Sequence, residues 1–146
     1  MPKVIIDMTM SLDGYVAGPE DGPECPLGKH DGMAIFDWYF SGTEEYRTPL
    51  FKPEPGPNLD QVKRMYEESG AFIFGRRTYD ISKGWGGRPS NLTFVTDGIE
   101  SAIRQAPYLL GGGVRLFDVL ANGVRLEKLS VSDGPLATHL RYRVAR

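Results

Sequence analysis

KVIIDMTM, residues 3–10, is the stretch that decides the fold class, because it is β-branched or apolar almost throughout. Such a run predicts a strand buried on both faces, which is typical of a central strand in an α/β sheet. AFIFG, residues 71–75, predicts a second buried strand, and LTFVT, residues 92–96, predicts a third. Strands of this kind with helical segments between them indicate an α/β domain.

Helical patterns accompany these strands. Asn58–Gly70 carries one apolar stripe and predicts a helix whose N-cap is Asn58 or Asp60. Arg76–Lys83 predicts a short helix directly after the second strand. Asp97–Glu100 has the form of a capping box, so a further helix is predicted from there to Pro107.

The remaining segments are connections and one short aromatic stretch. Ser11–Gly22 contains Asp-Gly and Gly-Pro pairs and is predicted to be a loop. Met33–Phe40 shows a helical face. Val114–Ala121 is long enough for one or two helical turns.

The last third of the chain predicts an antiparallel hairpin. Its strands are Leu126–Ser132 and Ala137–Val144, around a turn that begins at Asp133. Alternation in the second strand predicts an apolar set facing inward and a basic set facing outward, namely Leu140, Tyr142 and Val144 against Arg141 and Arg143. Because such a strand can pair or pack across a twofold axis, we expect a homodimer.

Composition and charge restrict the class of protein. The 146 residues suit one domain spanning residues 1–146, and the net charge of −2 disfavours general nucleic-acid binding. The apolar runs are too short to cross a membrane, and the first residues have no signal-peptide core. One cysteine and two histidines cannot build a Cys/His zinc site, so no metal is expected. We expect a cytoplasmic protein that acts on a small molecule.

Two connections are unusually abrupt. Pro107 is followed at once by the apolar segment Tyr108–Leu110, although a helix returning to a sheet normally uses about 2–6 connecting residues. The stretch Gly86–Asn91 is equally short. Either the fold uses tight turns here, or residues are absent at these two points.

The segment FGRRTYD, residues 74–80, is the first candidate for chemistry. Gly75 lets a phosphate approach closely, and Arg76, Arg77 and Thr78 add two guanidiniums and a hydroxyl at the start of a helix. This combination suits a phosphate site. The alternative is that both arginines are solvated and Thr78 is only a cap.

Other candidates are weaker. Gly111–Gly113 could cradle a phosphate or could be a bulged connection. Asp13 lies just beyond the first strand, where α/β sheets place ligands, and could orient a substrate, relay a proton or simply form a turn. Phe36, Trp38 and Trp85 could stack on a flat ring or pack in the core.

Taken together, these segments resemble the dihydrofolate-reductase-like proteins, specifically the group similar to the reductase domain of bacterial riboflavin biosynthesis. The matching segments run in family order and cover most of the chain: MTMSLDGYVAGPEDG (8–22), FDW (36–38), FIFGRRTYD (72–80), GWGG (84–87), FVTDGIESAIRQA (94–106), LLGGGVRLFD (109–118) and THLRYRV (138–144).

The resemblance implies a three-layer α/β/α fold with a central, mostly parallel mixed sheet and a C-terminal antiparallel hairpin. It implies an NAD(P)H-dependent reductase, with NADPH usual, acting on a C=N or C=O of a small heterocyclic or ribosylamino-pyrimidine-like substrate. The corresponding reactions are reduction of 5-amino-6-(5-phosphoribosylamino)uracil or of dihydrofolate. By the same resemblance, the cofactor phosphates lie at Gly75–Thr78, Val16 and Ala17 border the nicotinamide, and Asp13 and the Phe36–Trp38 helix border the substrate.

Members of the group usually have an additional strand before the FVT segment and further elements before LLGGG. Both additions are missing here, so the domain is expected to be internally shortened near 90/91 and 106/107. Two alternatives therefore stay open. One is a non-catalytic dimeric ligand-binding module on the same scaffold, and the other is a transferase that binds a Mg²⁺–nucleotide at Gly111–Gly113.

Overall fold

The computed structural model describes residues 4–47, 51–70, 75–81, 99–118, 120 and 122–145. Within them, the strands are β1 (Val4–Met10), β2 (Tyr15–Ala17), β3 (Ile99–Gln105), β4 (Val114–Arg115), β5 (Leu126–Gly134) and β6 (Ala137–Val144). The α-helices are α1 (Pro57–Glu68) and α2 (Arg76–Ile81), and 3-10 helices span Gly32–Tyr39 and Glu44–Tyr46. No helix of the described ranges is long and apolar enough to cross a membrane.

Four strands form the main sheet in the order β1-β3-β6-β5. β1 and β3 are parallel, whereas β6 is antiparallel to both β3 and β5. The sheet is therefore mixed, in keeping with an α/β domain, and the predicted C-terminal hairpin is confirmed. In the described residues most pairings are antiparallel, which differs from the mostly parallel sheet that was expected. The strands predicted at 71–75 and 92–96 fall on segments outside the described residues, apart from Gly75.

The segment 99–105 is a strand, so the helix predicted from Asp97 to Pro107 is wrong there. β3 lies between β1 and β6, and its backbone pairs from Ile99 to Gln105 with β1 and from Glu100 to Gln105 with β6. Two sets of sheet hydrogen bonds outweigh a local capping pattern, because helix propensity is a weak preference that tertiary pairing overrides. After β3 the chain turns tightly, and the Tyr108 N–H donates to the carbonyl of Ala106 at 2.8 Å.

Helix α1 begins one residue earlier than predicted. Gly56, with φ of 93°, precedes it, and Pro57 occupies the first turn, where its fixed φ suits the helix and its missing N–H costs nothing. Neither Asn58 nor Asp60 is the N-cap as predicted. Asn58 instead lies inside the first turn and is fully buried, so its side chain is available for a contact with the sheet.

Two short strands replace predicted loop and helical segments. β2 lies within the predicted loop Ser11–Gly22, and β4 begins the stretch Val114–Ala121 that was expected to form helical turns. The two strands pair in antiparallel fashion as a separate sheet. This pairing brings the end of β2 close to the glycine segment that precedes β4.

The inward face of β6 is the opposite of the predicted one. Ala137 and His139 are buried, and the Arg141 side chain is only 11% exposed, whereas Val144 is exposed. Arg141 binds Glu68 of α1, which explains how a basic side chain lies on the covered face. Leu140, Tyr142 and Val144 therefore belong to the other face of the sheet.

Two apolar clusters hold the covered face to the helices. Trp38, Tyr39, Val62 and Ala137 form the first, between the longer 3-10 helix, α1 and β6. The second cluster consists of Ile35, Ala106 and Leu110, with Tyr15, Phe36 and Tyr108 packed against it. The second cluster supports the loop that contains Asp13.

Candidate functional site

Asp13 joins the loop after β1 to the segment before β4. Its carboxylate accepts hydrogen bonds from the Ser11 hydroxyl at 2.6 Å, from the Gly111 N–H at 2.8 Å and from the Leu110 N–H at 3.1 Å. Ser11 is completely buried, and its oxygen also accepts from the Tyr15 N–H. Asp13 thus lies at the predicted position beyond β1, with both carboxylate oxygens engaged.

The surroundings of Asp13 favour its ionised form. Partial burial is the largest single influence on the pKa of Asp13 and raises it. The hydrogen bonds from Ser11, Gly111 and Leu110 together outweigh this effect, so the pKa lies below its ordinary value. A carboxylate held in this way is an acceptor and an orienting group, not a source of protons near neutral pH.

The glycine segment Gly111–Gly113 is shaped by its packing. Gly113 has φ of 124°, and a Cβ there would lie 2.0 Å from the Ala17 carbonyl oxygen. Gly111 has φ of 67°, and its N–H is used by Asp13. The segment is a tight connection against β2, and one of the N–H groups that a phosphate cradle would need already has an anionic partner.

A cavity of about 420 Å³ lies between α2 and the loop that follows β2. Its lining consists of Asp21, Gly22, Pro23, Arg76, Arg77, Asp80 and Ile81. The cavity is open to solvent rather than enclosed, so it would cover only part of a ligand. Arg76 and Arg77, two of the residues predicted to bind phosphate, are therefore on its wall, while Gly75 and Thr78 lie beside them and are exposed.

Each arginine of the cavity is oriented by a carboxylate. The Arg77 Nε donates to Asp21 at 2.7 Å, and a terminal nitrogen of Arg77 donates to the Asp21 carbonyl oxygen. The Arg76 Nε contacts both carboxylate oxygens of Asp80 at 2.9 Å. A guanidinium has five N–H donors, so both arginines keep donors beyond these contacts.

The loop between β2 and the longer 3-10 helix connects the cavity with the Asp13 region. Asp21 accepts the Leu27 N–H at 2.9 Å as well as the Arg77 guanidinium, and its side chain is only 5% exposed. Leu27 has a positive φ of 63°, which is strained for a bulky residue. At the other end of the loop, Gly18 packs against Gly113.

The predicted ring-binding residues are separated by the fold. Phe36 is half-buried and packs against the cluster of Ile35, Ala106 and Leu110. Trp38 is 1% exposed and packs in the core, with its ring centroid 3.6 Å from that of Tyr39. Trp85 lies outside the described residues.

β2 carries the two residues that were expected to border the nicotinamide. Val16 is half-buried, and Ala17 is buried, with its carbonyl oxygen against Gly113. Asp13, Val16 and Ala17 therefore lie in or beside the β2–β4 pair, whereas Phe36 packs against the apolar clusters. Arg76 and Arg77 lie across the loop that contains Asp21.

Sequence reasoning missed three contributors to this region. Ser11 could have been found, because serine side chains in loops often bond to neighbouring backbone groups, as the Ser11 oxygen does with the Tyr15 N–H. Asp21 pairs with Arg77 across 56 positions of the chain, and no local sequence pattern predicts that contact. The same holds for His30, whose Nδ1 lies 3.1 Å from the Leu110 carbonyl oxygen.

The described residues contain no group of three or more His, Cys, Asp or Glu side chains that could hold a metal ion.

Comparisons with known proteins leave the family of the chain undefined. No protein-family model matches it, and no curated protein matches it. Among solved structures, it is similar to a crystal structure of a Shewanella sp. PV-4 protein provisionally assigned to riboflavin biosynthesis, with 18% identity, a TM-score of 0.45 and coverage of 100% of both chains. The class that the structure itself defines is an α/β domain with a mixed sheet and a small cavity beside α2.

Proposed function

We propose that this chain is an NADPH-dependent reductase that transfers a hydride to a C=N or C=O of a small heterocyclic substrate. The observation that supports this most directly is the cavity beside α2, where Arg76 and Arg77 both line one wall. The donors that Arg76 and Arg77 keep beyond their pairing with Asp80 and Asp21 are suited to a dianionic group such as the 2′-phosphate of NADPH. This function is also the one that the resemblance of the sequence implies.

The residues at the cavity suit a phosphate group. Arg77 retains N–H donors beyond those used by Asp21, and Arg76 uses its Nε for Asp80 and retains its terminal nitrogens. In the proposal Arg77 binds the 2′-phosphate, Arg76 reaches the phosphates that NADPH and NADH share, and Gly75 and Thr78 provide close approach and a hydroxyl. A bound nicotinamide would supply the hydride.

The other end of the region would hold the reacting rings. Val16 and Ala17 on β2 border the nicotinamide in this proposal, and Phe36 and Asp13 border the substrate. Because its carboxylate is held ionised by three donors, Asp13 acts by orienting the loop and the substrate. Trp38 is buried in the core between the longer 3-10 helix, α1 and β6, and takes no part in the proposed site.

The proposal is tested by titrating NADPH and NADH into the wild-type protein and into Arg77→Ala at fixed ionic strength. A charge-assisted hydrogen bond contributes roughly 1.5–3 kcal/mol, which corresponds to about 10- to 150-fold in affinity. Arg77→Ala is expected to weaken NADPH binding by a factor in this range and to leave NADH binding nearly unchanged. Arg76→Ala is expected to weaken both.

Two outcomes contradict the assignment. Equal losses for both cofactors in Arg77→Ala would remove Arg77 from the 2′-phosphate. Failure of the wild-type protein to bind NADPH would reject the reductase. Asp21→Asn provides a matched comparison, because it keeps an acceptor for the Leu27 N–H and removes the negative charge beside Arg77. This variant is expected to bind NADPH more tightly than the wild-type protein.

A non-catalytic ligand-binding module is the second candidate, and it differs by binding cofactor without turnover. The transferase alternative receives less support, since the Gly111 N–H donates to Asp13 and Gly113 packs tightly on Ala17. Binding of a Mg²⁺–nucleotide in place of NADPH would favour the transferase over the reductase.

A further inference from the structure

The cavity beside α2 holds two arginines that are each paired with an aspartate. Arg77 is paired with Asp21, and Arg76 is paired with Asp80. Among the lining residues that the structure describes, these charges cancel when all four side chains are ionised. An anion that enters the cavity therefore meets N–H donors but little net attraction, unless one of the aspartates moves away.

The two aspartates differ in their freedom to move. Asp80 lies four residues after Arg76 on the same helix, so the geometry of α2 keeps that pair together. Asp21 belongs to the loop after β2 and reaches Arg77 from outside the helix. The Asp21 side chain is 5% exposed, against 43% for Asp80, so water screens the charge of Asp21 poorly. A change of loop conformation would remove Asp21 and leave the cavity with a net positive charge.

Asp21 also fastens the loop to itself. One of its carboxylate oxygens accepts the Leu27 N–H at 2.9 Å, and the other accepts the Arg77 Nε–H at 2.7 Å. Beneath this contact, backbone hydrogen bonds of 2.8 Å join the arms of the loop, residues 18–19 and 27–29. The Asp21 carboxylate therefore ties the far part of the loop both to its own base and to α2.

The tip of the loop, residues 22–26, lies between the two positions that the Asp21 carboxylate joins. Glu20 and Leu27, on either side of the tip, have positive φ of 58° and 63°, a region that is unfavourable for residues other than glycine. Such a conformation persists where surrounding contacts hold it, and the contacts of Asp21 lie at this place. Their loss would let the tip relax while the arms stay joined.

We propose that Asp21 is an internal competitor for the arginine cavity, and that a dianionic phosphate group displaces it and opens the tip. The ligand shifts the loop because it binds more tightly once Asp21 has left Arg77. A dianion gains more from the exposed positive charge than a monoanion does, so Asp21 makes the cavity selective for phosphate monoesters. The inference rests on the anion site of the proposed function and does not depend on hydride transfer.

Cys25, the only cysteine of the chain, lies in the tip and reports its opening. The rate of its reaction with a disulfide reagent is measured in inorganic phosphate and in chloride of equal ionic strength, at about pH 8, where phosphate is dianionic. Phosphate is expected to raise the rate severalfold, because the half-buried thiol becomes accessible. Calorimetry under the same conditions measures phosphate binding, and phosphate that binds without changing the rate would overturn the displacement.

The variant Asp21→Asn removes the competitor and keeps the site. It is expected to bind phosphate about tenfold more tightly than the wild-type protein, because the like charge beside Arg77 is gone. Its Cys25 is expected to react rapidly even in chloride, with little further effect of phosphate. Asp118→Asn removes the same charge at an exposed position of another segment and is expected to match the wild type in both measurements.

Three outcomes of this comparison reject the proposal. Equal phosphate affinity of Asp21→Asn and the wild type would reject the competition, and no binding by Asp21→Asn would reject the anion site. An unchanged Cys25 rate of Asp21→Asn in chloride would show that Asp21 does not hold the tip. A protein that responds to phosphate as expected but does not bind NADPH would lose the proposed reductase function and keep this switch.

Discussion

The Asp13 carboxylate shows what one side chain contributes to this molecule. It accepts hydrogen bonds from Ser11, two residues away, and from the backbone of Leu110 and Gly111, nearly a hundred residues away. These contacts hold the loop after β1 against the segment before β4. A buried N–H that loses its acceptor costs roughly 1–3 kcal/mol, so the contacts matter for stability as well as for the proposed site.

Replacing Asp13 by Asn is expected to destabilise the protein by about 1–3 kcal/mol. The amide NH₂ that replaces one carboxylate oxygen cannot accept a hydrogen bond, so one of the two N–H donors, Leu110 or Gly111, loses its acceptor. Turnover is expected to fall more than cofactor affinity. Chemical denaturation and steady-state kinetics measure the two effects. Asp118→Asn, at an exposed loop position, is the matched control, and equal stability of the two variants would show that the Asp13 contacts contribute nothing.

Acid sensitivity of Asp13 has a definite sign. Since its pKa is lowered in the folded protein, the stabilisation is present above the ordinary carboxyl pKa and is lost as the pH falls through the folded value. The Asn variant is expected to lack this dependence.

His139 is a second residue whose environment determines its charge. It is 2% exposed, and its Nε2 lies 2.9 Å from the Asn58 Oδ1. Burial, and next the positive charge of Arg104, lower the pKa of His139 from 6.5 to about 4, with a small opposing effect from Asp133. The neutral ring therefore joins β6 to α1 at neutral pH.

Stability is expected to rise with pH between about 4 and 6.5, because in that window the unfolded chain binds a proton at His139 that the folded protein does not. Keeping His139 neutral in the folded protein changes the free energy of unfolding by up to about 3 kcal/mol over this window, and this stability is lost as the pH falls. Urea denaturation of wild type and His139→Gln across this range measures it. Glutamine keeps a donor for Asn58 and does not titrate, so identical pH profiles would contradict the assignment.

At the scale of elements, short-range patterns and sheet pairing compete. The hairpin of β5 and β6 and the helix α1 follow their local signals, because turn residues and apolar periodicity agree with the tertiary environment. β3 does not, since it is hydrogen-bonded on both edges and its local capping pattern is overridden. The β2–β4 pair depends instead on a close approach of backbones at Gly113.

Substitution of Gly113 by Ala is expected to destabilise the protein well beyond the effect of Gly111→Ala. Both positions have positive φ, so each alanine carries a backbone cost of about 1–2 kcal/mol. Only at Gly113 would the new Cβ also meet backbone, the Ala17 carbonyl oxygen at 2.0 Å, whereas at Gly111 nothing lies within 4 Å. Thermal denaturation of the two variants tests this, and equal melting temperatures would refute the close contact.

At the scale of the whole molecule, a partly buried ion pair joins the beginning of the chain to its last third. The Arg104 guanidinium donates to Asp7 at 2.7 Å, across the parallel pairing of β3 and β1. Burial raises the pKa of Asp7, although Arg104 and Arg141 act in the opposite direction. Because desolvation offsets much of the attraction in such a pair, we expect it to specify which strands meet more than it adds to the free energy of unfolding.

A double-mutant cycle tests that interpretation. Asp7→Leu is expected to cost about 3–5 kcal/mol, because it leaves the buried Arg104 guanidinium unpaired. Arg104→Met is expected to cost less, because the Asp7 carboxyl is partly exposed. The double variant is expected to be close to the wild type in its free energy of unfolding. Denaturant unfolding gives the three differences, and a double variant whose loss equals the sum of the two single losses would show that the residues do not interact.

Part of the candidate site could be predicted from the sequence. The arginines Arg76 and Arg77 and the aspartate Asp13 were singled out by their place after a predicted strand, and the structure puts the arginines on a cavity wall and Asp13 beyond β1. Asp21 could not be predicted, because its contact with Arg77 joins distant parts of the chain. The inward face of β6 was predicted incorrectly, since alternation alone does not show that Arg141 binds Glu68 of α1 on the covered face.

The sequence by itself determined an α/β class, the strand β1, the helices α1 and α2 and the C-terminal hairpin, because each rests on periodicity and turn chemistry within a few residues. Only the tertiary structure decided that 99–105 is a strand, which face of β6 is covered, and that Asp21 and Arg77 share a cavity. These features depend on hydrogen bonds, desolvation and ion pairs between segments far apart in the chain, and no local pattern of residue types encodes which distant partner will be present.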